Sequence, residues 1–144
     1  MHKMIFVNLP VVDLDRSRTF FESMDYSFND NFCDGNALAL VLGDSIVAML
    51  LQRELYQSFV PQKEVADPRT SSGSIVCLSA EGRDEVDALV GKAMAAGATA
   101  GDTEDHGFMY GRSFYDLDGH AWEIMWMDPA AAEVGPEAYA EQQA

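Results

Sequence analysis

The sequence predicts an α+β fold built from two β-α-β-β-β modules. Three observations carry that expectation. A β-rich apolar run followed by a helical run occurs twice, first in "MIFVNLPVVDLDRSRTFFESM" and again in "SIVCLSAEGRDEVDALVGKAMAAG". Three short strand-like runs follow each copy. The copies start about 70 residues apart, the kind of period that marks a duplicated unit. Each half is expected to bury its sheet face against the other, so the 144 residues read as a single domain, 1–144, in two halves.

Met4 to Val11 reads as the first strand, because its Ile, Phe and Val suit a pleated surface. Asp13 is placed to cap the helix that follows, and Phe20, Phe21 and Met24 fall on one of its faces. "YSFNDNF", "ALALVLG" and "SIVAMLLQ" supply three more strands, with turns at Asn29 to Asn31, Asp34–Gly35 and Gly43–Asp44. Module one therefore covers about residues 4–52. Residues 53–73 are mostly polar, hold Pro61 and Pro68, and end in a Ser/Thr/Gly cluster. A short helical turn is expected around Glu54 to Phe59, then a linker of the length that is functional or mobile in a small domain.

Module two, about residues 74–128, repeats the order. Ser74 to Ala80 reads as a strand. Val86, Leu89, Val90, Ala93 and Met94 form the apolar stripe of a helix that Gly97 stops. "ATAGDT", "FMYGRSFYD" and "HAWEIMWM" are the remaining strands. The tail, residues 129–144, is rich in Ala and Glu and is expected to be loose or weakly helical.

Composition narrows the function. The formal net charge is −15, a field that repels nucleic-acid phosphates and anionic membrane surfaces. It suits a cationic ligand, although acidic surfaces also serve simply to keep a protein dissolved. No apolar run approaches the ~20 residues needed to span a bilayer. The N-terminal run meets Asp13 and Asp15 too early to read as a signal peptide, so a cytoplasmic protein is expected. Cys33 and Cys77 stand far apart in no CxxC pattern and read as buried free thiols.

The stretch "SFYDLDGHAWEIMWMDP" reads as strand, tight turn, strand. Alternation sends Trp122, Ile124 and Trp126 to one face and Ala121, Glu123, Met125 and Met127 to the other. The bulky face suits a packed helix. The other face carries a carboxylate among small or flexible neighbours, as a cavity lining would. If that face is buried, Glu123 needs a cation, a donor, water or a ligand beside it; if it is open, no such partner is required. His120 reads as a turn residue rather than a ligand.

The doubled pattern, the "VVDLDRSRTFF" run and "YDLDGHAWEI" together resemble the vicinal oxygen chelate superfamily, which includes glyoxalase I, the bleomycin resistance proteins, the fosfomycin-resistance enzymes and the extradiol dioxygenases. The resemblance covers roughly Met4 to Pro129. "GFMYGRSF" and "WMDP" are similar to a subgroup labelled predicted lactoylglutathione lyase. The resemblance implies a cup-shaped mixed sheet and a homodimer. In metal-using members four positions inside the cup carry His, Gln or Glu. Glu123 matches the last of these, but Phe6 and Ser74 stand at the first and third. The second falls in "SIVAMLLQ", which offers Ala48, Met49, Leu50 or Leu51 unless the ligand moves out to Gln52 or Glu54. A catalytic divalent site takes about three protein ligands, and a facial iron triad needs two His. No cofactor is therefore expected; a Zn, Ni, Mn or Fe ion, if bound at all, would have Glu123 as its ligand.

Other residues are candidates for the same cup. Phe6, Asn8 and Pro10 share a strand face, and Asn8 is either a site amide or a satisfied structural one. By resemblance Ser113 faces the cup, which leaves Arg112 to pair with an acid; the reverse register would make Arg112 an anion anchor. Phe108, Met109 and Tyr110 could line the mouth, and Tyr56 and Phe59 could form a lid, yet all five residues are equally good core. The ligand-binding set is thus Phe6, Asn8, Ser74, Met109, Ser113 and Met125, with Glu123 as the catalytic candidate. Two functions stay open. In one, Glu123 is the base of a glyoxalase-like lyase or isomerase acting on a small molecule, with Asn8 and Ser113 as donors; a dioxygenase fits less well. In the other, the protein sequesters a small molecule without metal, as an antibiotic-resistance binder does.

Overall fold

The computed structural model describes all residues, Met1 to Ala144. The chain divides into two compact units. The first is Met1–Gly73 with Leu117–Gly119, and the second is Ser74–Asp116 with His120–Ala144. No helix is long and apolar enough to cross a membrane.

The first unit runs β1 (Ile5–Val11), α1 (Leu14–Glu22), β2 (Ser27–Phe28), β3 (Ala37–Gly43), β4 (Ile46–Gln52) and α2 (Arg53–Phe59). Its four strands form one sheet in the order β1-β4-β3-β2. β1 runs parallel to β4, and the other pairs are antiparallel. A parallel pair needs a long crossover, and α1 with the β2–β3 segment supplies it. Asp13 caps α1 as its sequence position demands, accepting from the Arg16 amide at 3.0 Å. Phe20, Phe21 and Met24 are buried, and α1 packs on β3 and β4. Leu9, Leu40, Ala48 and Leu50 are buried as well.

The second unit repeats this plan with β5 (Ile75–Ser79), α3 (Arg83–Ala95), β6 (Thr99–Asp105), β7 (Met109–Tyr115) and β8 (Ala121–Met127). The sheet order is β5-β8-β7-β6, again with a parallel pair between the first two. α3 packs on β7 and β8, and its Val86, Val90 and Ala93 are buried. Gly97, at φ 108°, stops it. The two four-stranded mixed sheets with their helices are the α+β architecture expected from the doubled pattern.

Trp122 anchors the second sheet. It is 1% exposed and stacks on Phe114, with ring centroids 6.4 Å apart and planes 4° from parallel. Its indole N–H donates to Asp116 Oδ2 at 2.9 Å, and the His120 amide donates to Asp116 Oδ1 at 3.0 Å. One buried carboxylate thus satisfies the indole and closes the β7–β8 turn.

Two expectations need correction, and a third is narrowed. The strand expected over "YSFNDNF" is only Ser27–Phe28, because Asn29 caps a short 3-10 turn at Asp30–Phe32. Of the two states expected for the tail, loose or weakly helical, it takes the helical one, as α4 (Pro129–Val134) and α5 (Pro136–Gln143). Asp128 caps α4 by accepting from the Ala130 amide, and a proline opens each helix. Tyr139 ties α5 back through a 3.2 Å hydrogen bond to Asp128. The cysteines are not buried. Cys33 is half-buried with its sulfur bonded at Asn29 and Ala39, and Cys77 is exposed.

Asp116→Ala leaves a buried indole N–H without this acceptor. We expect a stability loss of about 1–3 kcal/mol in urea unfolding. A loss below about 0.5 kcal/mol, the range of a neutral surface change, would show that the carboxylate does not hold the turn.

Candidate functional site

Burial of Trp122 and Ile124 on the α3 side dictates where Glu123 goes. It must leave the sheet on the opposite face, where it is half-buried. Its cross-strand neighbours are Cys77 on β5 and Ser113 on β7. Gly111 sits diagonally to it, and a Cβ there would lie 3.1 Å from Glu123 Oε1. Glycine at 111 therefore leaves room for the carboxylate.

The same face holds a cavity of about 210 Å³, lined by Ile75, Asp102, Glu104, Ser113, Tyr115 and Glu123 with the small residues Gly111 and Ala121. Three carboxylates line it and no Lys or Arg does. Asp102 arrives there through an irregularity: β6 changes register against β7 between Ala100 and Thr103. Ser113 Oγ donates to the Asp102 carbonyl at 3.2 Å, which fixes the shifted segment.

The placement of the expected residues is mixed. Glu123 and Ser113 line the cavity together. Met125 stands opposite Gly111 on the same sheet face, and Met109 opposite Met127; both are half-buried but neither lines the cavity. Ser74 is exposed just before β5 and does not line it either. Phe6 and Asn8 belong to the first unit. They are exposed on β1, opposite Val47 and Met49, with Phe6 55% accessible. Tyr56 and Phe59 are in α2 of the first unit.

The register of Arg112 is resolved. It points to the α3 face and pairs with Asp87 at 3.0 Å, and Tyr110 Oη donates to the same carboxylate at 2.7 Å. These two bonds hold the Asp87 carboxyl below its usual range, the tyrosine hydroxyl contributing most. Arg112 is thus a strut between strand and helix. Asp102 and Glu104 were not singled out from the sequence. Their signal was the acidic run "GDTED", but strand parity cannot place residues across a bulge.

At the positions that the resemblance compares with metal ligands the chain carries Phe6, Ser74 and Glu123, with Ala48, Met49, Leu50, Leu51, Gln52 or Glu54 for the fourth. No three His, Cys, Asp or Glu side chains form a group that could hold a metal ion.

Cys77 is coupled to Glu123. Partial burial of the sulfur, then the negative carboxylate, then a hydrogen bond from the thiol to that carboxylate all push the Cys77 thiol upward. Removing the charge in Glu123→Gln lowers it again and enriches the thiolate. We expect iodoacetamide to alkylate Cys77 several-fold faster in this variant at about pH 8, with Cys33 unchanged, by peptide-resolved mass spectrometry. An unchanged Cys77 rate would mean that the two side chains do not face one another.

The architecture and sequence both have relatives. No curated protein matches the chain significantly. Among solved structures, a glyoxalase/bleomycin resistance protein/dioxygenase family enzyme from Burkholderia phytofirmans PsJN superposes with a TM-score of 0.72 at 16% identity, over 85% of this chain and 96% of its own. A genomically encoded fosfomycin resistance protein from Listeria monocytogenes gives 0.64 at 14% identity, over 88% and 93%. A bleomycin-binding protein complexed with bleomycin gives 0.61 at 17% identity, over 87% and 98%. The model of the Glyoxalase/Bleomycin resistance protein/Dioxygenase superfamily matches residues 3–124, most of the chain, and this protein belongs to that superfamily.

Proposed function

We propose that the protein binds a cationic small molecule on the acidic face of its second sheet, without a metal ion. The observation that carries this reading is the cavity lining: Asp102, Glu104 and Glu123 with no basic side chain among them. Three like charges around one small space repel one another, and a cation relieves that repulsion. Ser113 and Tyr115 add hydroxyl groups, and Ile75 adds an apolar wall. The net charge of −15 favours the approach of cations. Relatives named for bleomycin binding and fosfomycin resistance make a small-molecule role natural for the fold. As the sequence resemblance implies, the working form is a homodimer, which light scattering would test.

Proton abstraction by Glu123, in a lyase or isomerase, is the weaker reading. Its product is an enediolate, and anionic neighbours raise the energy of an anion. Asp102 and Glu104 would oppose the charge that a glyoxalase-like reaction develops.

A panel of organic cations and size-matched anions, scored by thermal shift in EDTA, tests the proposal. Cations should raise the melting temperature, and Glu123→Gln and Asp102→Asn should each weaken their binding at least about fivefold, as expected for loss of a charge-assisted contact. Hits confined to anions, or hits that both variants retain in full, would overturn it. Binding lost in EDTA and restored by added metal would overturn its metal-free part. Lactoylglutathione lyase activity abolished by Glu123→Gln would put the enzymatic reading first.

A further inference from the structure

The first unit has a cavity of its own, about 520 Å³. It lies where β1 ends, α1 and α2 begin, and the 67–69 and 117–118 segments meet. Every residue lining it belongs to the first unit. Its size suits a small organic ligand.

Six arginines are present in this acidic chain. Four are committed to carboxylates: Arg18 to Glu22 and Asp30, Arg69 to Asp67, Arg83 to Asp105, and Arg112 to Asp87. The two that form no ion pair are Arg16 and Arg53, although the charge of Arg53 reaches Asp67, and both line this cavity. Arg53 spends one N–H on the Val65 carbonyl, at 2.9 Å. The Arg16 guanidinium has no acceptor at all.

The acids around the same space are already used. Asp13 accepts from the Arg16 amide, and Asp67 takes three N–H groups of Arg69. Asp118 accepts from the Val12 amide at 2.8 Å and from Ser17 Oγ at 3.5 Å. These carboxylates hold the walls together, and Asp13 takes the Arg16 amide in the first turn of α1. What the cavity still offers is guanidinium N–H, beside an apolar wall that includes Val12, Pro68 and Leu117.

We propose that this cavity binds a small organic anion, with its carboxylate or phosphate on Arg16 and Arg53 and its apolar body against that wall. Guanidinium groups suit both head groups because their N–H forks match two oxygens at once. The site is independent of the acidic face of the second sheet and would take a ligand of opposite charge.

Benzoate and phenyl phosphate are the probes, titrated into the uniformly nitrogen-15-labelled full chain at constant ionic strength. We expect saturable shifts at the amides of Val12, Arg16 and Asp118. Arg16→Gln should weaken binding about tenfold, as removal of a charge-assisted fork does, and Arg53→Gln should weaken it measurably. Arg18→Gln, on the same helix but outside the cavity, should leave it within about twofold. Tighter benzoate names a carboxylate ligand, and tighter phenyl phosphate a phosphate ester; either supports the site. It is overturned if neither probe saturates, if Arg16→Gln and Arg18→Gln behave alike, or if the shifts fall instead on Ser113 and Glu123.

Discussion

The alternation of β8 is the constraint on which the second sheet depends. Trp122 and Ile124 are almost wholly buried, 1% and 0% exposed, and a one-residue slip would exchange them with Glu123 and Met125. That slip would bury a carboxylate and expose an indole, so the register has a steep energetic wall on both sides. Asp116 reinforces it by binding the indole and the turn together. The place of Glu123 follows from packing behind it. A functional group held this way needs no support of its own, since the core fixes its position.

Charge is distributed unevenly over this frame. With 24 acidic residues against nine Lys and Arg, four of the six arginines are used as struts. Arg83 shows the pattern: it binds Asp105 at 2.7 Å and lies over the rings of Tyr110 and Trp126. Its guanidinium, with help from the Gly107 amide, holds the Asp105 carboxyl well below the usual carboxylate range. A carboxyl so depressed stabilises the fold above its unfolded pKa, and that contribution fades as pH falls through the folded value. Because the pair is exposed, solvent keeps the effect small. The larger consequence is spatial. Spending arginines as struts leaves the acidic face without Lys or Arg, with only His106 beside Glu104 at 3.6 Å, and leaves Arg16 and Arg53 as the arginines not so spent.

Much of this was legible in the sequence, and the rest failed for identifiable reasons. The doubled module, the Asp13 cap, the Gly97 stop and the two faces of β8 follow from period, capping chemistry and parity. Ser113 beside Glu123, and Arg112 turned toward an acid, follow from the family resemblance, since parity alone leaves the register of β7 open. Asp102 was invisible because a bulge breaks the count that parity relies on. Cys77 was expected inside because free thiols usually are, yet its strand position puts it beside Glu123 on the uncovered face. Composition leaves the tail loose or weakly helical, and Asp128–Pro129 and Gly135–Pro136 carry the signals that start its helices. The first-unit cavity is beyond sequence reading, since residues 10–13, 16–17, 53, 67–69 and 117–118 have no local pattern in common.

The three residues Leu117–Gly119 lie within the second module's hairpin but belong to the first compact unit. Gly119 takes φ 99°, and an added Cβ there would stand 2.9 Å from the Pro68 carbonyl oxygen. Asp118 accepts from the Val12 amide and the Ser17 hydroxyl. The duplicated halves are therefore not interchangeable parts. A chimera that joined residues 1–73 to another relative's second half would inherit a foreign turn tip in place of the Asp118 carboxylate that Val12 and Ser17 bind. For this chain, the tip has to move together with the half that receives it, so the workable unit of exchange is not the module boundary that the repeat suggests.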